Sequence, residues 1–268
     1  SADLSSNSNL SVLYYNNNGS TTLNLSGLSD LKYVKCENNS ITSLDVLGNS
    51  GLTYLKCDQN QLASLNVSNC TSLSYLNCHQ NQLSSLDVST CTALRELNCQ
   101  SNSGITSIDV SNLSVLENLD VGYTSISSLD VSFNTVLEHL YTSFNNNLTA
   151  INFGSIEKLE YIYSQYTRLN SIDVSAIDSL KELHVDQNIN ISSIDVSQNV
   201  KLIKLGCSFN QITSLDLRNN TQLTDVDARN NQLTRFDIRN GQYMNFSSKV
   251  LLNNNNLSLI HISEPTRL

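Results

Sequence analysis

The chain has 268 residues, 39% hydrophobic and 15% charged, with 24 acidic against 15 basic side chains and a net charge of -9. That balance excludes a nucleic-acid backbone as the main partner, because no basic patch is available to neutralise phosphates. No apolar run approaches the roughly 20 residues of a membrane-spanning helix, and glycine and proline number only 9 and 1.

Taken in chain order, residues 1–9 read as the end of a repeat: Leu4 lies six residues before Leu10, as Val46 lies six before Leu52. A single unit then recurs from Leu10, Leu31, Leu52, Leu73, Leu94, Leu116, Leu137, Leu159, Leu180, Leu202 and Leu223, and last from Ser247. The spacing is 21 or 22 until a final step of 24. Written out, the unit is LxxLxCxxNxLxxLDVSxxxx. Apolar and polar residues alternate in both LxC and LDV, the period of a strand with one buried face. The segments between are too short and too rich in Ser and Asn for helices, and Asn supplies the turns that Gly and Pro do not. Two strands per repeat predict a flattened coil, each strand pairing in parallel with its copy about 4.8 Å away. One coil buries about seven apolar side chains at roughly 1.5–3 kcal/mol each. Ordering about 21 residues at roughly 1–2 kcal/mol each offsets that gain, so coils are expected to be stable only when stacked.

Three inner or turn positions repeat. Asn at the ninth position, from Asn18 through Asn60 and Asn81 to Asn255, is expected to bond backbone groups where the strand turns. Cys at the sixth position (Cys36, Cys57, Cys78, Cys99, Cys207), with Cys70 and Cys91 elsewhere in the coil, shows no CxxC and no zinc-like Cys–His spacing. Other repeats place Val121, Val185 or Ala228 there, so the thiols are expected to be free, buried core residues. The Asp of LDV, from Asp3 to Asp237, stacks like charges. A solvated or hydrogen-bonded face is expected, with weak calcium binding as the alternative; no cofactor and no metal centre is implied.

The third, fifth, seventh and eighth positions are expected to point outward. Repeats two to four carry a tyrosine ladder there, Tyr33, Tyr54 and Tyr75, explained by ring stacking along the sheet. Repeats six to ten differ. Their outward positions hold Tyr123, His139, Tyr141, Phe144, Tyr161, Tyr163, Tyr166, His184 and Phe209, with Asp120, Glu182 and Asp186 among them. Inner positions change over the same stretch, to Thr142 and Ser164 in the Cys row and to Thr124 and Thr167 in the Asn row. Single-residue insertions fall near Gly104, Asn147 and Asn190. Outward aromatic residues on a rigid sheet are common at binding sites, so this patch is the predicted partner-binding surface. Catalysis is not expected: no nucleophile elbow, phosphate loop or HExxH motif is present. His139 and His184 stand two coils apart, and a flat open sheet is expected to offer no pocket.

The LxxLxCxxNxL segment resembles the strand segment of the leucine-rich-repeat superfamily, and LxxLDVS is similar to its short 21-residue bacterial class. The resemblance implies a curved right-handed repeat solenoid, rich in parallel strands stacked in two sheets, with little helix. It covers residues 1–263 in about twelve repeats, after which Glu264, Pro265, Thr266, Arg267 and Leu268 break the pattern; this tail is expected to be foreign to the array. The array is expected to be truncated at both ends. Members of the class are typically parts of secreted or surface proteins, although the first residues here show no signal-peptide pattern. The expected function is therefore a non-catalytic binding or adhesion module whose concave sheet meets a protein or carbohydrate partner. A structural spacer in a larger surface protein, or an accessory module of an enzyme whose catalytic domain lies elsewhere, are the alternatives.

Overall fold

The computed structural model describes residues 2–4, 6–240 and 249–262; the last repeat start, Ser247, and the tail 264–268 lie outside the described residues. No helix occurs among the described residues, so none is long and apolar enough to cross a membrane. The chain divides into two compact units, Ser1–Leu137 and Glu138–Leu268, and each is a β-solenoid of the predicted kind.

In the first unit, strands Val12–Tyr14, Tyr33–Lys35, Tyr54–Lys56, Tyr75–Asn77, Glu96–Asn98 and Asn118–Asp120 pair in parallel, each with the next. The register is the repeat itself: Leu55 faces Leu76, Leu76 faces Leu97, and Leu97 faces Leu119. That last step spans the insertion at Gly104, where a Cβ would lie 2.7 Å from the Leu83 carbonyl oxygen and 2.9 Å from the Ser84 Cα. Both are backbone atoms that cannot swing aside, so only glycine lets the extra residue tuck in. On the other side of the coil, Ala2–Asp3, Thr22–Asn24 and Ser43–Asp45 form a second parallel ladder. The equivalent segments around Leu65 and Leu86 form none, so the second sheet is interrupted.

The second unit repeats the plan. Strands His139–Tyr141, Tyr161–Tyr163, Glu182–His184, Lys204–Gly206, Asp225–Asp227 and Lys249–Leu251 form one parallel ladder. Ser214–Asp216, Arg235–Ile238 and Leu259–Ile262 form the ladder opposite. In both units the core lies between the two sides. It is built from stacked rows such as Leu52, Leu73 and Leu94, all with 0% exposure, each worth roughly 1.5–3 kcal/mol in burial.

The ninth-position Asn row does what its position predicts. Asn60 Nδ2 donates to the carbonyls of Cys57 (3.1 Å) and Asp58 (3.2 Å) in its own turn and of Cys36 (3.0 Å) one coil back, while its Oδ1 accepts from the Ile41 amide at 3.0 Å. One side chain thus closes its own turn and ties it to the preceding coil. In the same row the Thr124 hydroxyl donates to the Val121 carbonyl at 2.9 Å. A second Asn row went unrecognised in the sequence. Asn134 Nδ2 donates to Val110 and Leu113 carbonyls, both at 2.9 Å, and Asn199 and Asn220 make equivalent bonds. Its signal is weak because Cys70, Cys91, Leu28 and Ile177 occupy the same place in other coils.

The seven cysteines are free and buried, as expected. Burial pushes the Cys36 and Cys78 thiols up to about 12, and those of Cys70 and Cys91 up to about 11. The LDV aspartates close turns: Asp45, Asp87, Asp109, Asp130 and Asp195 each accept at 2.9 Å from the amide two residues on. Bonds from the Ser89 hydroxyl and amide hold the Asp87 carboxyl below its usual range. The row is a hydrogen-bonded face, with one oxygen of each carboxylate committed to backbone.

Candidate functional site

Eight of the nine predicted site residues belong to the second unit, where the structure sorts them into two rows. The first lies on the strands. His139 stands across the ladder from Tyr161, Tyr141 from Tyr163, and Tyr163 from His184. Their rings stack at centroid distances of 4.7, 5.2 and 4.8 Å, with interplanar angles of 1°, 16° and 8°. Strand spacing forces this, because parallel neighbours about 4.8 Å apart present planar side chains at stacking distance. All five are half-buried by one another.

The second row is not on the strands at all, which corrects the grouping made from sequence. Phe144, Tyr166 and Phe209 occupy the eighth position, in the turn that follows each strand, with φ of 62°, 53° and 55°. Tyr123, in the first unit, sits at the same place with φ of 51°. Amides donating to the next coil hold the conformation: Phe144 to Gln165, Tyr166 to Asp186 and Phe209 to Arg229, at 2.9, 3.0 and 2.9 Å. Elsewhere this left-handed position is filled by polar residues: Asn17, Asn38, Asn230 and Asn254, the type that tolerates it best, and also Gln59, Gln80, Ser101 and Gln187. A bulky aromatic residue there costs about 1 kcal/mol or more. Tyr166 and Phe209 are nonetheless 45% and 43% exposed, and Tyr123 is 45% exposed. Phe144 and Tyr166 stack at 4.6 Å.

Polar groups lock the strand row in place. Tyr163 donates its hydroxyl to Glu182 Oε2 at 2.6 Å, Lys204 reaches Glu182 Oε1 at 2.9 Å, and His184 Nε2 lies 3.4 Å from Glu182 Oε2. Burial works to raise the Glu182 carboxyl, but bonds from Tyr163, Lys204 and His184 outweigh it and hold the group below its ordinary value. Burial, followed by the bond to Glu182, pushes the Tyr163 phenol up. Beneath the row, the Thr142 hydroxyl donates to Ser164 Oγ at 2.8 Å, which accounts for polar residues replacing Cys in these two coils.

Beside this array the sheet is not flat. Gly206 takes the strand position that His184 fills in one neighbouring coil and Asp227 in the other. A cavity of about 580 Å³ lies at this gap, lined by Tyr166, His184, Asp186, Gly206, Phe209 and Arg229 among others. The expectation of no pocket therefore fails here, where a glycine interrupts a row of side chains. Asp186 lines this cavity, whereas Glu182, two residues before His184, is held by Tyr163 and Lys204. Among the described residues no group of three or more His, Cys, Asp or Glu is arranged to hold a metal ion.

The first unit presents a different surface. Tyr33, Tyr54 and Tyr75 stack at 4.2 Å intervals. Beside them Asp58, buried, pairs with His79 Nε2 at 3.1 Å and lies 3.7 Å from Lys56 Nζ. Among the described residues, Asp58 Oδ1 and His79 Nδ1 are buried there without a hydrogen-bond partner.

No family model and no curated protein matches the chain. Among solved structures it is similar to the functional domain of InlJ from Listeria monocytogenes, described as including a cysteine ladder. That match has 32% identity, covers 86% of this chain and 60% of that one, and has a TM-score of 0.62. It is also similar to a leucine-rich-repeat protein of Leptospira interrogans, at 22% identity over 94% of this chain and 72% of that one, TM-score 0.65. A third similar structure is the LRIM1/APL1C complex, at 22% identity over 87% of this chain and 46% of the matched one, TM-score 0.69. The chain thus spans about three fifths of the length of the InlJ domain.

Proposed function

We propose that this chain, which belongs to the leucine-rich-repeat superfamily, is a non-catalytic recognition module that binds a protein partner on the strand face of its second unit. The observation that carries the reading is the eighth-position row. Aromatic rings occupy left-handed turns where Asn, Gln or Ser serves in other coils, and Tyr123, Tyr166 and Phe209 stay exposed at a cost in both strain and solubility. Core packing gives no reason for them. Together with the stacked strand row they make a rigid aromatic surface, whose rings lose little rotamer freedom on binding. The same fold forms part of a protein complex in LRIM1/APL1C, which supports a protein rather than a carbohydrate as ligand. The repeat class it resembles supports a secreted or surface location.

The test uses a Tyr161→Ala/Tyr163→Ala double variant and a Tyr33→Ala/Tyr54→Ala control on combined peptide and glycan arrays. Peptide features bound by the parent should weaken at least about tenfold in the first variant and not in the second. Binding confined to glycans would overturn the choice of partner. Binding that survives the first variant would overturn the choice of surface, and an array with no bound feature would favour a spacer.

A further inference from the structure

Resting on that reading, we propose that the notch over Gly206 receives a cationic side chain of the partner protein, an arginine or lysine, between Asp186 and His184. A Cβ at Gly206 would lie 2.6 Å from Asp186 Oδ2 and 2.7 Å from His184 Nδ1. Both atoms therefore lean over a bare Cα, into space that any other residue would fill.

Asp186 Oδ2 is an acceptor, and His184 Nδ1 is one in the Nε2–H tautomer. Asp186 is held by Ser208, whose amide and hydroxyl donate to Oδ1 at 2.9 and 2.7 Å. The other oxygen, Oδ2, is left facing the notch. Glu182 accepts only, so the contact from His184 Nε2 at 3.4 Å calls for a proton on Nε2, and in the tautomer with that single proton Nδ1 is the acceptor. Nδ1 and Oδ2 are 4.0 Å apart, too far to satisfy each other and close enough for one ligand group to bond both. Two converging acceptors, one of them charged, call for a donor with more than one N–H, and an ammonium or guanidinium supplies it.

Charge accounting around the notch agrees. Lys204 is committed to Glu182 at 2.9 Å, and Arg229 grips Asp227 through Nη2 at 2.6 Å and Nε at 2.9 Å. Asp225 stands across the ladder from Lys249. Neither Asp186 nor Asp225 has a Lys or Arg within 4.0 Å among the described residues, but Asp225 Oδ2 accepts from the Thr224 hydroxyl at 2.8 Å, whereas Asp186, with its side chain 18% exposed, keeps Oδ2 towards the notch. The exposed rings of Tyr166 and Phe209 line the cavity, where they offer a face to an alkyl stem or a guanidinium plane. A chain of net charge -9 also favours a basic partner at long range.

The experiment follows the His184 ring nitrogens and the Gly206 amide by NMR in the full chain. The ligands are Nα-acetyl-arginine methylamide, its uncharged norleucine analogue and its glutamate analogue. The arginine compound should give a saturable shift at both probes, on the order of millimolar, and the other two should not. Asp186→Asn keeps both Ser208 bonds through Oδ1 but turns the free acceptor into a donor, so it should weaken the arginine compound at least about tenfold. Gly206→Ala, which drives the two acceptors apart, should do the same. The inference is overturned if the arginine compound gives no shift, if norleucine or glutamate matches it, or if Asp186→Asn leaves it unchanged. A null result here alongside retained Tyr161- and Tyr163-dependent peptide binding rejects the cation notch alone. Loss of both rejects the recognition face beneath it.

Discussion

Replacing Asn81 tests how the solenoid is held together, because the bonds that would survive can be counted. Its Nδ2 donates to the carbonyls of Cys57 (3.1 Å), Cys78 (3.0 Å) and His79 (3.3 Å), and its Oδ1 accepts from the Leu62 amide at 3.0 Å. In Asn81→Ala each carbonyl keeps another donor: Cys57 has Asn60, Cys78 has Asn102, and His79 has the Gln59 amide. The Leu62 amide, in a residue with 0% exposure, loses the acceptor that holds it. One stranded N–H costs about 1–3 kcal/mol, and the small void and thinned bonding bring the expected loss to about 2–4 kcal/mol. Asn81→Asp separates the hydrogen-bond account from packing, since it is nearly isosteric and keeps the Leu62 bond. It turns the donor into a carboxylate oxygen facing three carbonyls, so at pH 7 it should be worse than alanine. That carboxyl's folded pKa would be raised above the unfolded value near 4. The variant's excess penalty should therefore be absent below about pH 4 and grow as the pH rises through the folded pKa. Urea unfolding of parent and both variants at pH 4 and pH 7, compared pairwise, measures this. A loss under about 1 kcal/mol for Asn81→Ala, or an Asn81→Asp variant no worse than alanine at pH 7, would refute the account.

Three further outcomes are expected. With Cys36 and Cys78 pushed up to about 12, about one part in 10⁴ of each thiol is ionised at pH 8. Native protein should therefore label with a thiol reagent at least about a hundredfold more slowly than unfolded protein, and rapid stoichiometric labelling would contradict the buried ladder. Asp237 accepts from the Arg239 guanidinium and lies 3.3 Å from His261 Nδ1, and the bond from Arg239 holds its carboxyl far below the usual range against the opposing effect of burial. Its contribution is present above the unfolded value near 4 and lost as pH falls towards the folded one, so Asp237→Asn should flatten the acid side of the stability–pH curve; an unaltered slope would count against it. Because each LDV carboxylate already serves a backbone amide, EDTA should leave the thermal midpoint where it was, and a fall on chelation would revive calcium.

Most of the architecture was legible because a solenoid's register is its repeat. Once Leu52 and Leu73 are aligned, the ladder partners Tyr54 and Tyr75 follow without further information. The Asn and Cys rows were readable for the same reason, since a side chain that bonds or packs against its own copy must recur. What recurs imperfectly was lost. The second Asn row hides because a neutral Cys, Leu or Ile can fill its place when the backbone carbonyls find other donors, so no column of one residue type marks it. The interruption of the second sheet was also invisible, since LNV at Leu65 and LDV at Leu44 carry the same alternation, and only Ser43–Asp45 forms a ladder.

The candidate site reverses that logic, because its information lies in what breaks the pattern. Alternation placed His139, Tyr141, Tyr161, Tyr163 and His184 outward correctly, and strand spacing then stacks them. Counting the eighth position as strand was the error. A periodic pattern reports which side chains avoid the core and cannot tell a strand residue from one in a left-handed turn just beyond it, where Tyr166 and Phe209 lie. The stronger omission was Gly206. It stands in a column that reads Tyr141, Tyr163, His184, Gly206, Asp227, and a residue without a side chain draws no attention in a search for chemistry-bearing groups. Yet in a regular solenoid every coil repeats the same backbone, so a local notch on the strand face arises where one coil omits the side chain that its neighbours supply. In such folds the sequence feature to look for beside an aromatic patch is the missing side chain, and the residues leaning over it then name the ligand's chemistry.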